Sequence, residues 1–263
     1  MQDSIMHTVT TTGDVSQDVH TLVQQIGGIQ RFIKPDETVL IKPACNSPYG
    51  YPATTDLQLL KTVVELVRTV TPHVTVGDSS GFIHKPTSVA FDGTGLTQLA
   101  HEMRFPLVNF DEHEWVLRTD GRADRLKEVH VTRLLLESAR LIFLPTMRTH
   151  AWARITMALK LGMGLIPVPD RKHMHRTALE EMIGELNLYF APDLVILDGR
   201  RCFINGGPDS GEEREPGVLI GGTGRVAIDT EAVRILKQYD AAQLDMPAED
   251  VPMIRRARQL GLQ

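Results

Sequence analysis

The sequence predicts an α/β protein with a mostly parallel sheet between two layers of helices, a three-layer sandwich. Short β-branched apolar segments recur along the chain, and they alternate with amphipathic segments of helical period. With 263 residues, 42% of them hydrophobic, the chain can bury a full core. Because no internal repeat or low-complexity linker divides it, we expect a single domain over residues 1–263.

The first elements in the chain predict a parallel sheet. Residues 1–14 are rich in threonine and suit an edge strand or a tail, and residues 15–32 have helical periodicity interrupted by two glycines. A buried strand at 38–43, a helix at 57–70 with cap candidates just before it, and a strand at 73–77 form a βαβ unit. The later elements are predicted as a helix at 96–103, a strand at 106–110, a polar excursion at 115–131, a short helix at 134–139, a strand at 140–145, a helix at 177–190, strands at 193–198 and 218–221, and helices at 229–239 and 250–261.

Composition excludes several classes of protein. A formal charge of -5 and a pI near 6.1, without a basic run, argue against nucleic-acid binding. Cys45 and Cys202 are too few for a disulfide scaffold or a four-thiolate iron–sulfur cluster. The N-terminus lacks a signal-peptide pattern and no apolar run is long enough to span a bilayer, so we expect a cytoplasmic protein without membrane contact. The sequence does not specify an oligomeric state, although domains of this size often form homodimers.

The candidate site follows from the sheet, because ligands of open parallel sheets bind beyond the carboxyl ends of the strands. Polar side chains follow the predicted strands at Lys42, Asn46, Asp78, Ser79, Ser80, Asp111, His113, Arg148, His150 and Asp198. Each also has an ordinary structural interpretation, as a snorkelling lysine, a turn former or a helix cap.

The segment from Phe143 to His175 is the most informative of these regions. A strand runs into Arg148 and His150, and Lys160 follows just before a stretch rich in glycine and proline. Ionisable groups at the end of a buried strand are costly unless they are used, so this cation cluster suits a carboxylate or phosphate ligand. The alternative is a set of solvated cations at a helix end.

The sequence Gly77-Asp78-Ser79-Ser80-Gly81 formally matches the nucleophile elbow G-x-S-x-G. Pro86 stands where the helix of an elbow should begin, so we favour two other interpretations. The loop either cradles an anion with its backbone N–H groups, with Asp78 as acid, base or metal ligand, or is an ordinary tight turn.

Two further features concern cofactors. His173 and His175 precede the predicted helix at 177, and on an extended backbone they would point to one side, where His150 and Asp198 could complete a divalent metal site. No standard metal-binding spacing is present. The glycine-rich loop at 205–211 is a candidate lid or anion-binding loop, and neither it nor residues 221–224 match the dinucleotide fingerprint.

Together these segments resemble the DUF362 family. The matching motifs are Val39-Leu-Ile-Lys-Pro43 with Asn46 and Thr54-Thr55; Val76-Gly-Asp-Ser-Ser-Gly81; Leu144-Pro-Thr-Met-Arg-Thr-His150; Met157-Ala-Leu-Lys160 with Gly164-Leu165; His175; Leu197-Asp-Gly199; Gly206-Gly-Pro208 with Gly211; and Val226-Ala-Ile-Asp229. The resemblance covers roughly residues 38–262 and implies an α/β fold with a shared polar pocket rather than a particular reaction.

The chain departs from the family pattern in two motifs and lacks one module. The family typically has Lys-Thr-His where this chain has Arg148-Thr149-His150, and Lys-Asn where it has Lys160-Leu161. The first change alters hydrogen-bond geometry, and the second removes an amide. Some relatives carry a ferredoxin-like cysteine module, which this sequence lacks, so an iron–sulfur cluster is not expected.

Three functions remain open at this point. The favoured one is a lyase or isomerase type of enzyme with a biosynthetic role, which acts on a small anionic molecule by acid/base chemistry such as isomerisation, elimination or cyclisation. In it, His150, Lys160, His175 and Asp78 are the candidate catalytic residues, and Lys42, Asn46, Ser79, Arg148 and Asp198 the candidate substrate-binding residues. The alternatives are a metal-dependent hydrolase or oxidoreductase, and a non-catalytic protein that binds an anionic metabolite.

Overall fold

A computed structural model describes residues 5–263, so the first four residues of the edge strand or tail expected at 1–14 lie outside the described part of the chain. The strands are β1 (Met6–Thr10), β2 (Val39–Pro43), β3 (Val74–Asp78), β4 (Leu107–Asn109), β5 (Trp115–Thr119), β6 (Glu128–Thr132), β7 (Arg140–Leu144), β8 (Thr146–His150), β9 (Arg154–Ile155), β10 (Leu194–Phe203), β11 (Glu213–Arg214) and β12 (Val218–Gly222). The α-helices are α1 (Val15–Gln25), α2 (Leu57–Arg68), α3 (Thr87–Thr94), α4 (Leu96–Met103), α5 (Arg133–Glu137), α6 (Ala158–Leu161), α7 (Val168–Arg176), α8 (Leu179–Leu186), α9 (Arg225–Lys237) and α10 (Pro252–Gln259).

The main sheet is mostly parallel, as the sequence predicts. Its strand order is β1-β12-β10-β7-β2-β3-β4, and neighbours from β10 to β4 run parallel. The strands β12 and β1 continue the sheet in antiparallel pairing. The polar excursion is a separate antiparallel pair of β5 and β6.

The sheet has a hydrophobic core on each face, which gives the predicted three layers. Within β2, Val39 and Ile41 pack with α1, α2 and α4 on one face, and Leu40 belongs to the cluster with α8, α9 and α10 on the other. The two-residue period of a strand produces this alternation, and continuous apolar runs are what a strand buried on both faces requires.

Two helices near the site differ from the sequence prediction. The helix expected at 177–190 is α8, which begins at Leu179, and an unpredicted helix, α7, precedes it and carries Pro169 in its first turn, where a missing N–H costs little. The helix expected from 229 begins at Arg225, so Asp229 lies inside α9 and is not its N-cap. The helix α2 does begin as predicted, with Asp56 Oδ1 accepting the N–H of Leu59 at 2.8 Å.

The longest helix, α9, has 13 residues, and within residues 5–263 no helix combines the length and apolar character that crossing a membrane requires.

Candidate functional site

A cavity of about 370 Å³ lies beyond the carboxyl ends of β2, β3 and β8. Eight of the nine candidate residues line it: Lys42, Asn46, Asp78, Ser79, Arg148, His150, Lys160 and His175. They come from the ends of β2, β3 and β8, which lie at one edge of the sheet, and from the helices α6 and α7.

Lys42 and Asp78 form a buried ion pair at the floor of this cavity. Lys42 Nζ lies 2.8 Å from Asp78 Oδ1, and both side chains are almost fully buried. The Asp78 carboxylate also accepts the N–H groups of Cys45 at 2.8 Å and Ser79 at 2.7 Å. Burial lowers the pKa of Lys42, and Asp78 opposes that shift. By accepting from these three donors, the Asp78 carboxylate fixes Lys42 and the loops that follow β2 and β3.

Gly164 lies directly against this ion pair, and it provides a test of how tightly the floor is packed. A Cβ added at Gly164 would overlap Asp78 Oδ1 and lie 2.6 Å from Lys42 Nζ. We therefore expect Gly164→Ala to lower the free energy of unfolding by about 1–3 kcal/mol, as overpacking of a core does. The control is Gly121→Ala, because a Cβ there has no atom within 4 Å. Urea denaturation of both variants measures the difference, and equal stability would show that the floor yields easily.

The Ser79 hydroxyl is fully engaged and does not act as an elbow nucleophile in this arrangement. Its Oγ donates to Asp111 Oδ1 at 2.8 Å and accepts from Lys85 Nζ at 2.8 Å and from Arg171 at 2.6 Å. A loop follows β3 up to α3 at Thr87, so the strand-to-helix turn of an elbow is absent here. The Ser79 hydroxyl thus connects Asp111, Lys85 and Arg171 and holds the loop after β3 in place.

Arg171, which lies on α7, also holds the loop after β3 in place. Its guanidinium donates to the carbonyl oxygens of Ser80 at 2.7 Å, Ser79 at 3.2 Å and Ile166 at 2.7 Å, and burial lowers its pKa to about 10. Arg171 is not among the residues that the sequence predicts for the site, because a position just after two prolines does not indicate an inward-facing side chain. An arginine inside a helix with apolar neighbours at i+3 is a weak signal that could have identified it.

Arg148 is a buried cation without a direct carboxylate partner among residues 5–263. Its guanidinium donates to the carbonyl oxygens of Ala53 and Pro208, the latter at 2.7 Å, and to Asn46 Oδ1 at 3.3 Å. The buried Nε has no protein acceptor in the described chain. Burial lowers the pKa of Arg148 to about 10, so the group stays charged at neutral pH. A buried, charged donor of this kind suits an anionic ligand.

His150 is a neutral imidazole that presents an N–H to the cavity. Its Nδ1 accepts the backbone N–H groups of Trp152 at 3.0 Å and Ala153 at 3.2 Å, so the ring proton must be on Nε2. Burial, together with Lys160 and Arg148, lowers its pKa far below the ordinary value. His150 can therefore donate a hydrogen bond at neutral pH but is a poor base.

His175 has the opposite tautomer. Its Nδ1 lies 2.8 Å from the carbonyl oxygen of Arg171, which only accepts, so Nδ1 carries the proton and Nε2 keeps a lone pair. Burial and the charge of Lys160 lower its pKa, although the hydrogen bond to Arg171 opposes this. His150 and His175 thus provide one donor and one proton acceptor.

Lys160 projects from α6 into the cavity, and in residues 5–263 no hydrogen bond or ion pair engages its amine. Burial and the cations Arg148, Arg171 and Lys42 lower its pKa to about 7, with Asp209 opposing them. Its helix is held from α9, because Asp229 accepts the N–H groups of Ala158 at 2.8 Å and Leu159 at 2.9 Å.

The lowered pKa of Lys160 makes a prediction about stability. The unfolded chain binds this proton up to about pH 10.4 and the folded chain only up to about 7, so charged Lys160 is destabilising below pH 7. We expect Lys160→Met to raise the free energy of unfolding at pH 6 by on the order of 2 kcal/mol, and this gain to shrink as pH rises from 7 to 10. Denaturation at pH 6 and pH 9 measures it, with the exposed Lys172→Met as control. A gain that is equal at both pH values would contradict the prediction.

Asp198 requires a correction, because it does not line the cavity. It is fully buried and accepts Tyr51 Oη at 2.8 Å and the guanidinium of Arg200, with Nη2 at 2.6 Å. Tyr51 is 147 positions away in the sequence, so no local pattern predicts its hydrogen bond to Asp198. Asp198 is a structural anchor for β10.

The side chains of the hypothetical metal site are not brought together. His173 and His175 lie on the helix α7, where side chains two residues apart diverge, and His173 is exposed. Over residues 5–263 no group of three His, Cys, Asp or Glu side chains is arranged to hold a metal ion.

The glycine-rich loop at 205–211 forms part of the cavity wall through Gly207, Pro208 and Asp209. Asp209 accepts Asn46 Nδ2 at 2.8 Å and lies 2.8 Å from His84 Nε2, which joins this loop to the loop after β3. Neither Asp209 nor His84 is among the residues that the sequence predicts for the site.

The cavity also has an apolar rim, formed by Phe82, Ile83 and Trp152. Ile83 and Trp152 are each 73% exposed, and Phe82 packs edge-on against His175. Large apolar side chains on a rim favour contact with an apolar part of a ligand.

Comparisons with known proteins agree with this arrangement of motifs. The sequence model of the family described as "Domain of unknown function (DUF362)" matches residues 39–234. The chain is 29% identical over 259 residues to "Thylakoid-associated protein sll1697" of Synechocystis sp., an alignment that covers 95% of this chain and 76% of that protein.

One similar solved structure is the lactate racemase apoprotein from Thermoanaerobacterium thermosaccharolyticum, with 13% identity and a TM-score of 0.43. The match covers 76% of this chain and 51% of that one, so this chain spans about half the length of that protein. A similarity at this level does not indicate a shared activity.

Proposed function

The chain belongs to the DUF362 family, and we propose that it is an enzyme that removes a proton next to a carbonyl group of a small anionic substrate. The proposal rests on one observation. His150 and His175 line the same cavity in opposite tautomers, and cations without a carboxylate partner line it too. Isomerisation, elimination and cyclisation all begin with such a proton transfer.

Each cavity residue has a role in this proposal. Arg148 binds the carboxylate or phosphate, since it is charged, buried and incompletely hydrogen-bonded. His175 Nε2 takes the proton, and the N–H of His150 stabilises the oxyanion that develops on the carbonyl oxygen. Lys42, Asp78, Ser79 and Arg171 hold the loops that shape the floor. The apolar rim favours substrates with an aliphatic or aromatic portion.

Deuterium exchange tests this proposal without knowledge of the product. We expect the protein in D₂O to catalyse C–H exchange in some members of a panel of 2-oxo carboxylates, 2-hydroxy carboxylates and phosphorylated carbonyl compounds, followed by NMR. Arg148→Met should weaken binding of those compounds about 10- to 100-fold, the effect of losing hydrogen bonds to a charged group.

Saturation-transfer NMR on the same panel identifies which compounds bind. Compounds that bind but exchange only at the buffer rate would contradict the enzymatic proposal and favour the non-catalytic binding protein. Lys172→Met, which changes an exposed lysine outside the cavity, is the control for general effects of charge.

A further inference from the structure

We propose that Lys160 forms a covalent imine with the carbonyl carbon of the substrate, which makes oxo acids and phosphorylated aldehydes or ketones the substrate class. This inference rests on the proposed function, because it uses the same cavity, and it adds a covalent step to it.

Lys160 differs from the other lysines of this site. Lys42 is paired with Asp78, and Lys85 is bonded to Ser79 and Asp111. Lys160 faces the cavity, and its amine has neither a hydrogen bond nor an ion pair in the part of the chain that the structure describes. A lysine kept for structure would be expected to have such a partner.

The backbone that carries Lys160 is held in position by neighbouring elements. Asp229 caps α6, and Asn187 Nδ2 donates to the carbonyl oxygen of Leu159 at 2.9 Å. Gly162 lies so close to the ring of Phe190 that a Cβ would overlap it. The four-residue helix is thus fixed from three elements, which limits where the amine can reach.

The charges around the Lys160 amine are mostly positive. Arg148, Arg171 and Lys42 surround the amine with positive charge, and Asp209 is the carboxylate that opposes them. These neighbours and burial favour the neutral amine, which is the nucleophilic form. His150 and His175 also line the cavity, and their lowered pKa values keep both imidazoles neutral, so neither provides a negative charge that would hold a proton on the amine.

The remaining groups complete the chemistry. The lone pair of Lys160 Nζ attacks the carbonyl carbon, and the π electrons move to the oxygen, which accepts a hydrogen bond from His150 Nε2. His175 Nε2 takes a proton from the nitrogen and gives it to the oxygen, which forms a neutral carbinolamine. A second proton, taken up from solvent by His175 and passed to the hydroxyl group, lets the C–O bond break, so that water leaves and a protonated imine remains. One carbonyl, one amine and one proton give one iminium ion and one water, without an oxidant or reductant. The iminium acidifies the neighbouring C–H bond for removal by His175.

Pyridoxal 5′-phosphate is a suitable probe, because it combines an aldehyde with a phosphate group. The protein is incubated with it at pH 7, reduced with borohydride, digested and analysed by mass spectrometry. We expect labelling of Lys160 at least tenfold faster than labelling of the exposed Lys172, slower labelling of Lys160 in Arg148→Met, and no change at Lys160 in Lys172→Met. Lys160→Met, with folding checked by circular dichroism, should lose the fast-labelled site.

Labelling of Lys160 no faster than that of Lys172 would overturn the covalent step. Pyridoxine 5′-phosphate, which has the phosphate but no aldehyde, separates this outcome from failure of the proposed function. If it binds wild type more tightly than Arg148→Met while Lys160 is not labelled, the anion site stands and the imine is rejected. If it does not bind and Lys160 is not labelled, both the imine and the anion site assigned to Arg148 are rejected.

Discussion

Asp78→Asn should lower the free energy of unfolding at pH 7 by about 3–5 kcal/mol, the usual cost of removing one partner from a buried ion pair. The variant keeps the shape of the side chain but leaves Lys42 buried without its counter-charge. It also turns an amide N–H toward one of the two backbone N–H groups, of Cys45 and Ser79, that the carboxylate now accepts. Urea denaturation measures the loss.

The pH dependence of this variant distinguishes charge from packing. Without Asp78 the pKa of Lys42, already lowered by burial, should fall further, so the unfolded state binds more protons over the range between that pKa and about 10.4. The stability of the variant should therefore increase as pH rises from 7 toward 10. The double variant Lys42→Met, Asp78→Asn should regain part of the loss at pH 7. A single variant within about 1 kcal/mol of wild type would show that the pair does not support the floor.

His175→Gln and His175→Ala should both reduce catalysed deuterium exchange by about 10²- to 10⁴-fold, since neither side chain can accept the proton as a base. At position 150 the two substitutions should differ. Gln keeps an N–H donor and Ala removes it, so His150→Ala should lose about 10²- to 10³-fold, the cost of an oxyanion donor, and His150→Gln clearly less.

The pH profile gives an independent check of these roles. Because the pKa of His175 is lowered, its basic form should persist, and exchange should continue, below pH 6.5, the ordinary pKa of histidine. NMR exchange rates from pH 5 to 8 measure this. Equal losses for Gln and Ala at position 150, together with a smaller loss at 175, would reverse the assignment of donor and base.

Much of the site's location could be predicted from the sequence, because strands are short apolar runs and parallel strands put their carboxyl ends on one edge. Lys42, Asp78 and Arg148 were identified in this way. The rule fails for Asp198, which follows a strand in the same manner but bonds to Tyr51 and Arg200. Arg200 is only two residues away, but Tyr51 is 147 positions from Asp198 in the sequence, and local patterns do not encode a contact at that distance.

The chemical state of the site could not be predicted. The tautomers of His150 and His175 are set by backbone groups of a tight turn and of the preceding helical turn. The helix α7 is not predicted, because Pro167 and Pro169 favour a stiff loop, although proline is also well suited to the first turn of a helix. Both features depend on local geometry that a residue type permits but does not determine.

The support of α6 by Asp229 has a consequence for protein engineering. The segment 146–176 carries most of the reactive side chains, yet the carboxylate that orients its central turn comes from a helix more than fifty residues later. A chimera that transplants this segment from a relative would inherit the reactive groups without their anchor unless the acceptor protein has an acidic residue at the position of Asp229. The transferable unit is therefore discontinuous, and it comprises the segment and that aspartate together.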